Sequence, residues 1–274
     1  LSTDPQGWEN LMVLNTHLMA VLSFSEAYVR GLCSECIKHA LSGVEAVIKL
    51  SSEFQRSDGY LYYSLYSKNH MGEGEDDKYP PYRGYSLLSS RLALKASIYL
   101  NNNALYDIAK RACLMGYNNV IHGKWSEYEA VARCLSLLYL KESTSDLLSK
   151  LMSVLRIAHE RGVRVIVNGY DVENALYAQY QPATLIQGNV QLVYVGPRQG
   201  KLLIAARSEG TSRILVRGYG SLSGHGVTVK GINIDYINGE ADVGNNEVKL
   251  KGEALISIDE DVVKPAMCNN GKCL

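Results

Sequence analysis

The spacing of hydrophobic residues changes once along this chain, near Gly162. Before that point hydrophobic residues recur every three or four positions, as in Leu11, Leu14, Leu18 and Leu22, which predicts amphipathic helices. After it, short runs rich in Val and Ile are separated by Gly and Asn, which predicts β-strands. The pattern therefore indicates an α+β protein with a helical domain at 1–162 and a β domain at 163–274.

Six helices are predicted in the first part, and short polar connections join them in pairs. Their approximate ranges are 11–30, 34–54, 86–100, 104–115, 127–140 and 145–161. Gly31 and Gly162 are expected to end the first and the last of them, and Ser145 and Asp146 to cap the last. Helices joined in this way predict stacked αα-hairpins.

Eight short strands are predicted in the second part, at about 163–167, 185–186, 190–195, 202–206, 214–217, 227–237, 248–250 and 254–258. Three pairs of residues have the composition of tight turns: Gly196-Pro197, Asn238-Gly239 and Gly244-Asn245. Many short strands with frequent turns are typical of an antiparallel β-sandwich.

Charge and hydropathy exclude two classes of partner. The 28 basic and 28 acidic residues cancel, and no Lys/Arg cluster is present, so nucleic acid is not expected to bind. No apolar run reaches the roughly 18 residues of a membrane-spanning helix. The 19 tyrosines, against two Trp and two Phe, suit a protein that contacts sugars or other proteins, although they also fit a compositional habit of the source organism.

Six cysteines are enough for three disulfides. Cys113 and Cys134 lie on neighbouring predicted helices, and Cys268 and Cys273 flank a turn, so we predict these two pairs and an extracellular or cell-surface location. A zinc site is the weaker alternative, since the C-x2-C at Cys33 has no second pair at ligand spacing. Cys33 and Cys36 also have the spacing of a thioredoxin-like redox motif. That motif occurs in a βαβ unit, which the pattern does not predict here. The chain begins at Leu1 without a secretory signal, so we expect a processed product or a fragment with a missing N-terminal region.

Groups that could bind a sugar are densest between Trp8 and Ala112. Three motifs occur there in order: Leu14-Asn15-Thr16-His17 with Tyr28-Val29-Arg30 downstream; Ser42-Gly43-Val44-Glu45-Ala46 leading to Asp58-Gly59 and Tyr63-Ser64-Leu65-Tyr66; and Tyr82-Arg83-Gly84-Tyr85-Ser86-Leu87 leading to Ala109-Lys110-Arg111. Their order and spacing over about 100 residues resemble the C-terminal α/α-toroid domain of the glucuronyl C5-epimerases. The chain departs from the family at the third motif, where tyrosines replace histidines, and six helices make half of a full toroid.

The resemblance implies a partial α/α toroid that acts on a polysaccharide or oligosaccharide containing uronic acid. C5-epimerisation needs a proton donor and acceptor on the two faces of the sugar, and a uronate lyase shares the first half of that chemistry. The candidates for acid/base roles are Tyr63, Tyr66, Tyr82 and His17. Asn15, Tyr60 and Arg83 are candidates for substrate binding, with Arg83 or Arg91 facing the carboxylate. No cofactor or metal is expected.

A second candidate cluster stands before the fifth predicted helix. Trp125 could stack on a sugar ring, and Glu127 could act as one carboxylate of a glycosidase pair. Ser126 as a helix cap and Glu127 in the first turn explain the same residues without a substrate.

Two functions follow from these observations. The first is a carbohydrate-active or carbohydrate-binding protein with a Tyr-rich cleft, which is either an enzyme of the epimerase, lyase or glycosidase type or a binding protein. The second is an extracellular structural or surface-assembly protein that self-associates through tyrosine-rich contacts.

Overall fold

A computed structural model describes residues 13–29, 31–64, 82–167, 183–198, 201–217, 229–244 and 246–260. Within these ranges the chain forms two compact units, 13–134 and 135–260, and the helix at 128–142 crosses the division. The structure is of the α+β class, with helices up to Glu160 and strands from Ile166 onward.

The described part of the chain contains seven helices. They are α1 (Leu14–Val29), α2 (Cys36–Lys49), α3 (Ser51–Phe54), α4 (Tyr82–Leu100), α5 (Asn103–Ile121), α6 (Tyr128–Glu142) and α7 (Ser145–Glu160). Gly31 and Gly162 follow α1 and α7 with φ angles of 71° and 67°, as expected for glycines that end helices. The cap of α7 is Thr144 rather than Ser145 or Asp146, since its side chain accepts a hydrogen bond from the Leu147 amide at 3.3 Å.

The first unit is built from helices that pack against one another. α1 packs against α2, α4 packs against α5, and α1 also packs against α4. Leu14, Leu18 and Val21 on α1 are buried at the spacing of one helix face, and Ala40 and Val44 form a similar stripe on α2. Burial of these stripes stabilises the helices more than their intrinsic propensity does.

The second unit contains one six-stranded sheet. Its strands are β1 (Ile166–Val167), β2 (Ala183–Gln187), β3 (Val190–Arg198), β4 (Lys201–Arg217), β5 (Val229–Val243) and β6 (Glu247–Glu260). Their order is β1-β3-β4-β6-β5, and β2 pairs with the second half of β4. All pairs are antiparallel except β1 with β3.

Alternate residues of the long strands form the core of this unit. Ile204, Ile214, Leu250 and Ile256 are fully buried in one cluster, to which both halves of β4 contribute. Helix α7 packs against β3 and β4. In its last turn, His159 Nε2 lies 2.8 Å from a carboxylate oxygen of Glu209 on β4.

Two of the three predicted turns are wrong, because each lies inside a strand. Gly196-Pro197 belongs to β3, where the register with β4 shifts between Tyr194 and Gly196 as in a β-bulge. Asn238-Gly239 lies in the middle of β5. Gly244 does stand in a turn, where its amide donates to the Glu247 carbonyl at 2.8 Å between β5 and β6.

The β-sandwich and the α/α toroid stay predictions. The described strands form one sheet, so the second sheet of a sandwich is not among them. The packed helices likewise do not establish a toroid. Within the described residues, no helix is both long enough and apolar enough to cross a membrane.

Candidate functional site

The tyrosine-rich segment begins with a tight turn after α3. Gln55 pairs with Leu61, the Tyr62 amide donates to the Phe54 carbonyl at 2.7 Å, and the Arg56 amide donates to the Tyr60 carbonyl at 2.8 Å. The Arg56 side chain is 3% exposed, and its Nη2 lies 2.9 Å from Asp58 Oδ2. Its guanidinium also lies 5.7 Å from the centre of the Tyr62 ring. A buried arginine that contacts both a carboxylate and a ring holds the turn in one conformation.

Tyr60 and Trp125 were predicted to contact sugar at two separate places, and the structure brings them together in the core. Their ring centroids are 4.3 Å apart with an interplanar angle of 21°, so the rings stack. Tyr60 is 1% exposed and Trp125 is 9% exposed. The Tyr60 hydroxyl accepts a hydrogen bond from Asn119 Nδ2 at 2.6 Å. Neither ring leaves an exposed face wide enough for a sugar.

Glu127 follows Trp125 and is half-buried just before α6. Its Oε2 accepts a hydrogen bond from the Ser126 amide at 3.0 Å. Because α6 begins at Tyr128, Glu127 precedes the helix instead of lying in its first turn, and this local bond gives its carboxylate a structural partner.

His17 and Asn15 lie on different sides of α1. His17 Nε2 is 3.0 Å from the Gly43 carbonyl of α2, so its N–H donates to that helix in the corresponding tautomer. Asn15 is 7% exposed, and its Oδ1 accepts from the Thr16 amide at 2.8 Å. The contact with α2 gives His17 a structural partner.

Three segments of the chain meet at Tyr63. The Leu14 amide at the start of α1 donates to the Tyr63 carbonyl at 2.9 Å, and Val13 forms a β-bridge with Ser64. The rings of Tyr63 and Tyr85 have centroids 4.8 Å apart and are both half-buried. We call the group formed by Leu14, Tyr63 and Tyr85 the tyrosine junction.

A hydrogen bond also joins the segment before Tyr63 to the first turns of α4. The Leu61 amide donates to Ser86 Oγ at 3.1 Å. Tyr82 and Arg83 are the first two residues of α4, but the description does not extend to their side chains. Tyr66 lies outside the described residues. Tyr85 was not among the candidates, although its spacing of three from Tyr82 places the two on neighbouring positions of one helix face.

Two disulfides are present among the described residues. Cys113 of α5 and Cys134 of α6 are joined, as predicted, with a Cα–Cα distance of 5.6 Å. Cys33 and Cys36, which were not predicted to pair, are joined across a Cα–Cα distance of 5.4 Å. The predicted pair of Cys268 and Cys273 lies outside the described residues.

Within the same ranges, no group of three or more His, Cys, Asp or Glu side chains could hold a metal ion. No known family model, curated protein or solved structure matches the chain. The resemblance to the epimerase toroid therefore remains a prediction from the three motifs.

Proposed function

We propose that the chain binds a polysaccharide or oligosaccharide, of the acidic type that the epimerase-like motifs imply, at the tyrosine junction. The observation that carries the proposal is the convergence of α1, the Tyr63 segment and the start of α4. Tyr63 and Tyr85 are half-buried and in ring contact, so each combines an apolar surface with a phenolic hydroxyl. Aromatic rings of this kind stack on the apolar face of a sugar while their hydroxyls bond to its polar edge.

Arg83 is the residue that we assign to a substrate carboxylate. It precedes Tyr85 by two residues at the start of α4. A carboxylate that leaves water needs a paired charge, and arginine offers a planar pair of donors that matches it. Its position at the N-terminal end of a 19-residue helix adds a favourable partial positive charge for an anion.

Binding is favoured over catalysis because several of the other candidate residues have structural contacts. Tyr60 and Trp125 stack on each other in the core, and His17 is bonded to Gly43. An epimerase- or lyase-like reaction would therefore have to use Tyr63, Tyr66 or Tyr82 as its acid and base. The two disulfides support an extracellular or cell-surface location for this function.

The test is a binding titration with a polyglucuronate and with a neutral glucan. We expect the wild-type chain to bind the acidic polymer, and Tyr63→Ala and Tyr85→Ala to lose that binding. Tyr236→Ala is the control, because Tyr236 is 38% exposed and lies on β5. Arg83→Gln should reduce binding of the acidic polymer alone. Absence of binding to both polymers by the folded wild-type chain would contradict the proposal.

Proton exchange at C5 in deuterated water separates binding from catalysis. If the chain binds polyglucuronate without incorporating deuterium, it is a binding protein. Incorporation that falls in Tyr63→Phe, while binding persists, would instead assign Tyr63 to acid/base chemistry.

A second candidate function is self-assembly through β5, and it rests on a different observation. β5 is an edge strand of 15 residues that pairs only with β6 among the described strands. Tyr236, Ile237 and Val243 on it are 38%, 43% and 40% exposed. A long edge with exposed apolar residues is a template for pairing with another strand, and β5 of a second copy is the occupant we assign to it.

Sedimentation across a concentration series tests this candidate. Self-association that Ile237→Lys abolishes would support it, since a charge on an edge strand opposes pairing. Val163→Lys is the matched control, because Val163 is 39% exposed and lies outside the sheet. A chain that stays monomeric at all concentrations would exclude it.

A further inference from the structure

The Cys33–Cys36 disulfide differs from the Cys113–Cys134 disulfide in its access to solvent. Cys33 is half-buried and stands in an exposed loop between α1 and α2, where Leu32 is 76% exposed. Cys36 is 8% exposed. Both Cys113 and Cys134 are 0% exposed, so an attacking thiolate can reach Cys33 but neither of those sulfurs.

The position of the pair also favours one direction of cleavage. Cys36 is the first residue of α2, a helix of 14 residues, and Cys33 precedes it outside the helix. The unpaired amides at a helix N-terminus carry partial positive charge, which stabilises a thiolate formed there. A sulfur that is a good leaving group is thus joined to a sulfur that is accessible to attack.

Glu35 and Lys38, the charged residues within two positions of Cys36, do not cancel this effect. Glu35 lies between the two cysteines, and its carboxylate would oppose a thiolate. Lys38 Nζ lies 2.7 Å from Glu35 Oε2, so the carboxylate is paired with a cation on the same helix turn. Both side chains are largely exposed, which leaves the loop open to a partner.

We propose that Cys33–Cys36 is a thiol–disulfide exchange site that oxidises dithiols in peptide segments. A thiolate of the segment attacks Cys33 Sγ, the bond between Cys33 and Cys36 breaks, and the electron pair leaves on Cys36. The second thiolate of the segment then attacks its own sulfur in the mixed disulfide and releases Cys33. The two electrons pass from the dithiol to the cysteines, the segment gains a disulfide, and the released thiolates take up protons from water.

The chemistry does not require a thioredoxin-like fold, whose βαβ context the sequence lacks. What it requires is an accessible sulfur, a stabilised leaving thiolate and two cysteines close enough to re-form the bond. A C-x2-C that ends at the first residue of a helix provides all three. Leu32 adds an apolar contact beside Cys33 for a peptide side chain.

The first experiment uses the wild-type chain and a reduced synthetic nonapeptide with two cysteines as the probe. After mixing, the exchange is quenched with acid, and free thiols are then alkylated in the unfolded chain and located by peptide mass mapping. We expect one peptide disulfide per chain and two alkyl groups on Cys33 and Cys36. Cys113 and Cys134 should stay unlabelled, and reduction by dithiothreitol should be at least about tenfold faster at Cys33–Cys36 than at the buried pair.

Single variants test the order of the steps. Cys36→Ser should leave Cys33 as a thiol that forms a stable mixed disulfide with the oxidised nonapeptide. Cys33→Ser should form that adduct at a yield at least about tenfold lower, because Cys36 is nearly buried. Cys33→Ser/Cys36→Ser is the control without exchange.

Two outcomes would overturn the proposal. One is that the peptide stays reduced while the folded wild-type chain keeps all its disulfides. The other is that both disulfides are reduced at the same rate, which would make Cys33–Cys36 a structural bond only.

Discussion

Gly239 of β5 stands directly opposite Gly252 of β6, and neither position has room for a side chain. A Cβ on Gly239 would lie 2.2 Å from the Lys251 carbonyl oxygen, and one on Gly252 would lie 2.2 Å from the Asn238 carbonyl oxygen. Their φ angles of 135° and 112° are also ones that residues with a side chain rarely adopt. At this point β5 and β6 lie so close together that only glycine fits at both positions.

Replacing either glycine should therefore destabilise the sheet. We expect Gly239→Ala and Gly252→Ala each to lower the free energy of unfolding by at least about 2 kcal/mol, from backbone strain and the clash with backbone atoms. Urea unfolding of the variants measures the loss. Gly210→Ala is the control, because a Cβ there meets nothing within 4 Å, and it should change the stability by no more than about 0.5 kcal/mol. Equal effects at Gly210 and Gly252 would contradict the explanation.

The stack of Tyr60 and Trp125 predicts that substitutions of the two residues lower the free energy of unfolding by different amounts. Tyr60→Phe removes only the hydroxyl that accepts from Asn119, and should cost about 1 kcal/mol, since the amide keeps its bond to the Met115 carbonyl. Trp125→Ala removes a buried ring and should cost about 3–5 kcal/mol. Tyr236→Phe, at an exposed position, is the matched control and should be neutral within about 0.5 kcal/mol. A neutral Trp125→Ala variant would refute the assignment of Trp125 to the core.

Loss of the Cys113–Cys134 disulfide should reduce the stability of the fold more than loss of the Cys33–Cys36 disulfide. Cys113–Cys134 closes a loop with a sequence separation of 21, which constrains the unfolded chain by about 3 kcal/mol, whereas Cys33–Cys36 closes one of three. Cys113→Ala/Cys134→Ala should therefore lower the midpoint of thermal unfolding further than Cys33→Ala/Cys36→Ala. Calorimetry of both double variants makes the comparison. The opposite order would show that the loop-closure argument does not hold in this protein.

The Arg213–Glu247 ion pair predicts a dependence of stability on pH. Two hydrogen bonds of 2.6 Å join the guanidinium and the carboxylate, and they lower the pKa of Glu247 from its ordinary 4.5. The stabilisation is therefore present above pH 4.5 and is lost as the pH falls through the lowered pKa of the folded state. The pair also raises the pKa of Arg213, chiefly through the hydrogen bond to Glu247, and this contribution to stability is lost only in strongly alkaline solution.

Thermal midpoints of the wild type and Glu247→Gln between pH 7 and pH 3 test this. Their difference should be constant near neutral pH and should shrink below pH 4.5. Arg213→Gln is the partner control, since it removes the same pair and should show the same trend. A difference in thermal midpoint that grows as the pH falls would contradict the predicted direction of the pH dependence.

Much of the fold could be predicted from local pattern, because periodicity reports which face of an element meets the core. The stripes on α1 and α2, the glycines after α1 and α7, and the change of period at Gly162 all depend on residues a few positions apart. Turn composition was less reliable. Gly196-Pro197 and Asn238-Gly239 have the composition of turns, yet they lie within β3 and β5, where partner strands hold the backbone extended.

The sequence by itself determined the helical and β regions and supplied the tyrosines, arginine and cysteines from which any site is built. Tertiary structure alone decided which of them meet. Tyr60 and Trp125 are 65 positions apart and stack in the core, whereas Tyr63, three residues after Tyr60, meets Tyr85 at a half-buried junction. His17 bonds to α2, and Cys33 in the loop before α2 joins Cys36, the first residue of that helix. Local pattern cannot distinguish these outcomes, because burial and contact depend on the packing of elements that are distant in the chain.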